Sequence, residues 1–113
     1  MKKMKYDEFQ KRMTTLQYLI KRIYTLDLLL DKFPKKDFYK ESDPRNKIKE
    51  TRNETINAFY EEVSCFNRYG MEFSIPEKMR IRQENESQFI SLRNDVLLRL
   101  FKNEKEIQKR ICI

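Results

Sequence analysis

The chain has 113 residues, a formal net charge of +7 and 38% charged positions, but no histidine, no tryptophan and a single glycine. Without histidine there is no imidazole base or imidazole metal ligand, and one glycine cannot build a glycine-rich phosphate loop. The composition therefore weighs against most enzyme classes. The length fits one hydrophobic core, so we expect a single domain over residues 1–113.

The first segment predicts a long helix from about Tyr6 to Phe33, ended by Pro34. Its apolar stripe repeats at steps of three and four residues and comprises Phe9, Met13, Leu16, Ile20, Ile23, Leu26, Leu30 and Phe33. Four further apolar residues lie outside or at the edge of this stripe: Leu19, Tyr24, Leu28 and Leu29. We expect them to be covered either by another part of the chain or by another molecule.

The second helix is predicted to begin at Asp43-Pro44, after a connector over residues 34–43, and to end at Gly70. Asp43 can accept from the free amides of the first turn, and a proline at the first helical position loses no hydrogen bond. Gly70 suits a left-handed residue just past a helix end, with Met71 closing a Schellman motif. Arg52 occupies a position in the apolar stripe, which predicts solvated first turns.

Residues 71–88 allow two interpretations. The sequence Ser74-Ile75-Pro76-Glu77 has the form of a capping box, so a helix could begin there. We favour one continuous or gently broken helix from about 76 to 111; the alternative is a short helix ending near Glu84 and a new one after Asn85 or Ser87. The apolar C-terminus predicts docking on the chain itself or on a partner. Together these helices predict an all-α antiparallel bundle of three or four helices.

The two cysteines form no disulfide framework and suit a reducing compartment. Cys65 is interpreted as a small buried hydrophobe, and Cys112 as a frayed, reactive thiol near the chain end. No apolar run is long enough to cross a membrane, and the basic start of the chain is not followed by a signal-peptide core. We expect a cytoplasmic protein with no cofactor, no metal and no membrane partner.

The leading functional hypothesis is a non-enzymatic protein-binding module, an adaptor or inhibitor. A phage or mobile-element origin would fit its size and composition. The apolar surplus defines its candidate surface, which consists of Tyr24, Leu28, Leu29, Phe38 and Tyr39. This surface could bind a target protein or form a homodimer. In the alternative, Phe38 and Tyr39 fold back over the leucines within the same chain.

The rival hypothesis is nucleic-acid binding through a basic strip on the first and last helices. The strip comprises Lys11, Arg22, Arg99, Lys102, Lys105 and Lys109. It requires those two helix faces to be adjacent. A third reading is an enzyme for a small anionic substrate, which requires inward arginines such as Arg52, Arg68 and Arg93 to converge.

Overall fold

The computed structural model describes residues 2–33, 44–79 and 86–113, which form four α-helices and no strand. They are α1 (Tyr6–Lys32), α2 (Pro44–Asn67), α3 (Glu86–Val96) and α4 (Glu104–Ile111), with a π-helical turn at Leu97–Phe101. The predicted all-α class is confirmed. The extents are 56 × 22 × 19 Å and the Cα radius of gyration is 16.3 Å. A compact chain of this length would have about 13 Å, so the molecule is elongated.

The first helix forms almost as predicted and ends at Lys32. Leu19, predicted to lie outside or at the edge of the stripe, is covered by the chain itself, because only 9% of this residue is exposed. Leu19 lies three residues after Leu16 and four before Ile23, which places it on the same face of α1. Ile20, assigned to the stripe, is only half-buried. The buried face therefore turns slightly around the helix axis along its length.

The two long helices pack side by side, with the start of α1 against the end of α2. Arg12 of α1 donates to Glu62 of α2 at 3.0 Å. The Phe9 and Phe66 rings meet edge to face with centroids 6.2 Å apart. At the other end, Arg45 donates to the carbonyl of Leu30 at 2.6 Å. These contacts join the two helices along most of their length.

The end of α2 confirms the predicted Schellman closure. Gly70 has φ 101°, a left-handed value that favours glycine. The amide of Met71 donates to the carbonyl of Phe66 and the amide of Gly70 donates to the carbonyl of Asn67, both at 3.3 Å. The predicted N-cap at Asp43 lies outside the described residues.

Residues 71–79 contain no helix, so the predicted helix start at residue 76 is wrong. The side-chain amide of Asn67 accepts from the Phe73 amide at 2.8 Å and donates to the Phe73 carbonyl at 3.0 Å. Asn57 binds both backbone groups of Met79 in the same way, at 2.7 and 3.1 Å. The two asparagines lie about 15 Å apart along α2, so the five residues between their targets are extended.

These long-range bonds, together with the burial of Phe73 and Met79, outweigh the local capping signal. Pro76 adds to the effect, because the residue before a proline avoids helical geometry. Residues 80–85 of the predicted helix lie outside the described part of the chain. From 86 onwards the expectation of a gently broken helix agrees with the structure.

The break lies at the π-helical turn. The amide of Lys102 donates to the carbonyl of Leu97 at 3.0 Å, a spacing of five residues. The side chain of Asn103 donates to the carbonyl of Leu98 at 3.0 Å and so satisfies another carbonyl at this end. The chain then turns and continues as α4.

The two chain ends are joined. The amide of Met4 donates to the carbonyl of Ile111 at 2.8 Å, and the amide of Ile113 donates to the carbonyl of Met4 at 3.1 Å. Cys112 pairs with Met4 in an isolated bridge and is buried, so the expected frayed end is wrong. Burial raises the pKa of the Cys112 thiol, which disfavours its reactive thiolate. Cys65, interpreted as buried, is half-exposed.

Candidate functional site

An apolar groove lies between α1 and α3, and we call it the α1–α3 groove. Its volume is about 280 Å³. The lining residues are Ile20, Lys21, Ile23, Tyr24, Asp27, Phe89, Arg93 and Leu97. Ile23 and Phe89 are buried core residues, so the groove floor is the surface of the hydrophobic core itself. Phe89 is fixed from below by Phe59 of α2, whose ring meets it edge to face at 5.7 Å.

Exposed apolar side chains flank the groove on both sides. Tyr24 on α1 is 65% exposed and Leu97 at the π turn is 38% exposed. By helical periodicity, Leu28 follows Tyr24 one turn along α1, and Ile90 precedes Leu97 by two turns. These two residues are 45% and 40% exposed. A cluster of this kind around an apolar depression is typical of an interaction site.

The structure divides the protein-binding residues predicted from the sequence. Tyr24 lines the groove and Leu28 continues the same stripe. Leu29 is exposed too, but it lies about 100° further around α1 and so on a different face. Phe38 and Tyr39 lie outside the described residues.

The α3 side of the groove was missed from the sequence. Ile90 and Leu97 widen the apolar stripe of the last segment, and this excess was the available signal. It could not show that the extra residues lie beside Tyr24, because that depends on which helices are neighbours.

A buried arginine beside the groove joins three helices. Arg52 of α2 is 8% exposed, and its Nε donates to Asp27 of α1 at 2.5 Å. Its two terminal nitrogens donate to Glu86 of α3 at 2.6 and 2.8 Å. Burial alone would lower the pKa of Arg52, but the hydrogen bonds to both carboxylates raise it above its ordinary value. The predicted solvation of this position is wrong, because partners on other helices allow the charge to be buried.

This network affects the charge of the groove. Asp27 is the one carboxylate among the lining residues, and it is hydrogen-bonded to Arg52. Lys21 is exposed and makes no ion pair with the described residues. Among the described residues, Arg93 donates only to the neutral side chain of Asn94, at 3.2 Å. Two cations and one carboxylate therefore line the groove, and the carboxylate is held by Arg52.

The basic residues predicted from the sequence fall into separate groups. Arg99 is engaged internally, with its Cζ 4.5 Å from the Phe73 ring centroid and a bond to Asp95 at 3.3 Å. The lysines of the last segment are exposed: Lys102, Lys105 and Lys109. Lys11 and Arg22 are also exposed on α1. Arg22 lies about 24 Å along α1 from Tyr6, whereas the end of α4 meets Met4.

A second, larger groove of about 720 Å³ separates residues 74–76 from α3. Its lining mixes hydroxyl and amide groups with apolar side chains: Ser74, Ile75, Pro76, Ser87, Gln88, Ser91, Leu92, Asn94, Asp95 and Leu98. The ionisable lining group, Asp95, is bonded to Arg99. No nucleophile and base pair up among these lining residues. Elsewhere, Arg68 is exposed on the C-terminal side of α2, about 24 Å from Arg52, so these two arginines do not converge.

The described residues contain neither a candidate metal site nor a helix that could cross a membrane. Nowhere in residues 2–33, 44–79 and 86–113 do three cysteine, aspartate or glutamate side chains gather to hold a metal ion. Among the helices of this part of the chain, none is long and apolar enough to cross a bilayer. No protein-family model, curated protein or solved structure matches the chain.

Proposed function

We propose that this protein is a non-enzymatic adaptor or inhibitor that binds a partner protein in the α1–α3 groove. The observation that carries the proposal is the exposed apolar set on both sides of the groove: Tyr24, Leu28, Ile90 and Leu97. We further propose a single antiparallel bundle working in the cytoplasm. The contacts that join the start of α1 to the end of α2 support the bundle, and the free thiols suit a reducing compartment.

The size and chemistry of the groove favour a protein over a metabolite. Its volume of about 280 Å³ lies just under the lower end of the range for small-molecule sites, which is roughly 300–1,000 Å³. Such a depression suits a few side chains projecting from a partner. Tyrosine and arginine are enriched at the centres of protein interfaces, and Tyr24 and Arg93 both line this groove.

The chain offers matched controls for a direct test. Leu28→Asp with Leu97→Asp places charge at the groove. Leu29→Asp with Leu98→Asp makes the same change at neighbouring exposed leucines on other faces. We expect all three proteins, including the wild type, to have the same far-UV circular dichroism. In pulldowns from the native cell after nuclease treatment, wild type and control should retain the same proteins, and the groove variant should lose them.

Equal retention by the groove variant and the control would contradict the proposal. If the groove variant unfolds, Tyr24→Asp provides a milder change, since this residue is 65% exposed. Captured material that disappears on nuclease treatment alone would favour nucleic acid.

One observation favours nucleic acid as the second candidate. Lys102, Lys105 and Lys109 are exposed without ion pairs to described residues. The chain-end pairing also brings Lys3 to Arg110, whose carbonyl accepts from the Lys3 Nζ at 3.2 Å. A filter-binding titration against salt tests this surface. A log–log slope of several units would support it, and no retention at about 50 mM salt would contradict it.

A further inference from the structure

The charged residues that line the α1–α3 groove are two cations and one carboxylate. Lys21 and Arg93 lie among the lining residues, one on each helix. The carboxylate of Asp27 accepts a hydrogen bond from Arg52 at 2.5 Å. The groove therefore has an apolar floor between two cations, and neither cation forms an ion pair with a described residue.

We propose that the occupant of this groove is an amphipathic helix of the partner that carries acidic residues beside its apolar stripe. The inference rests on the proposed protein-binding function and specifies the chemistry of the partner. Glutamates or aspartates flanking the apolar anchors would reach Lys21 and Arg93 while the anchors contact Ile23 and Phe89.

The exposed side chains form two helical ridges, one on each side of the groove. Tyr24 and Leu28 are separated by about 6 Å along α1, and Ile90 and Leu97 by about 10 Å along their helical segment. An amphipathic helix of a partner can dock its apolar stripe between two such ridges.

Charge makes a second copy of this chain a poor occupant. Each copy carries a net charge of +7, and each would bring its own Lys21 and Arg93 to the interface. Like charges placed opposite one another at an interface disfavour binding. An acidic partner has the opposite effect, because the positive field of the whole chain accelerates its approach.

The test is a selection from a displayed library of helical peptides about 18 residues long, or five turns. An apolar stripe is kept constant, and the flanking positions are randomised among Glu, Gln and Lys. The wild type should enrich Glu at those positions. A variant with Lys21→Glu and Arg93→Glu should lose that preference and enrich Lys instead. The Leu29→Asp with Leu98→Asp control should select the same peptides as the wild type.

Binding of the best Glu peptide should weaken about tenfold in the charge-reversed variant at low salt, and the difference should shrink in about 1 M salt. Enrichment that ignores the flanking positions, or that favours Lys on the wild type, would overturn the acidic partner while leaving the groove as a binding site. Peptides that bind equally well to the Leu28→Asp with Leu97→Asp variant, or a failure to enrich any peptide, would contradict the proposed function itself.

Discussion

Replacing Arg52 with methionine should destabilise the protein by about 2–3 kcal/mol. Arg52→Met keeps most of the side-chain volume but removes the hydrogen bonds to Asp27 and Glu86. The side chains of these two carboxylates are 46% and 43% exposed, so water replaces part of the lost interaction. We therefore assign about 1–2 kcal/mol to the lost bonds, less than buried charge-assisted bonds would give.

The remainder comes from repulsion between the carboxylates. Both bind the same guanidinium, which places their charges roughly 6 Å apart and costs about 1 kcal/mol once the arginine is absent. This contribution is sensitive to salt and to the removal of either charge. Arg52→Lys keeps the positive charge but loses the forked geometry, so about half of the destabilisation is expected.

Equilibrium urea unfolding measures the free energy of each variant. Adding Asp27→Asn to Arg52→Met should recover about 1 kcal/mol, because it removes the repulsion. A stability of Arg52→Met equal to or above that of the wild type would refute the reasoning. Buried ion pairs elsewhere can be replaced by apolar side chains at no cost, so this outcome is a real alternative.

Three further predictions concern other parts of the fold. Asn57→Ala and Asn67→Ala should each lower the free energy of unfolding by about 1–3 kcal/mol without reducing far-UV helix content, and a loss of helix would contradict this. Tyr60→Phe should match or exceed wild-type stability in urea, because the buried Tyr60 hydroxyl has no hydrogen-bond partner among the described residues; a clear loss would reveal one. Burial raises the pKa of the Cys112 thiol in the folded protein. The protonated thiol therefore contributes to folding stability below the unfolded value of 9.0, and this contribution is lost as the pH rises above it. The urea midpoint should then fall with rising pH more steeply for wild type than for Cys112→Ala, and parallel curves would contradict this.

The sequence correctly predicted the parts of the fold that depend on residues close together in the chain. The stripe of α1 repeats over its whole length, and Gly70, the single glycine of the sequence, takes a left-handed conformation at no steric cost. Both features were therefore readable from neighbouring residues.

Features that depend on distant partners were not predicted. Asn57 and Asn67 look like ordinary helix-surface residues until the chain returns to place Phe73 and Met79 beside them. Arg52 was predicted to be solvated, because the sequence does not show that its carboxylate partners on two other helices come close to it. In the same way, half of the candidate groove could be named from α1, while the α3 half required knowledge of the packing.

Site-specific photo-crosslinking in the native cell tests the groove most directly. A benzophenone amino acid replaces Leu97, which lines the α1–α3 groove, or its neighbour Leu98, which lines the second groove beside residues 74–76. We predict a discrete protein adduct from position 97 that maps to an acidic amphipathic helix, and none of that adduct from position 98. Adducts of equal yield at both positions, or a protein adduct from position 98 alone, would contradict binding through the α1–α3 groove.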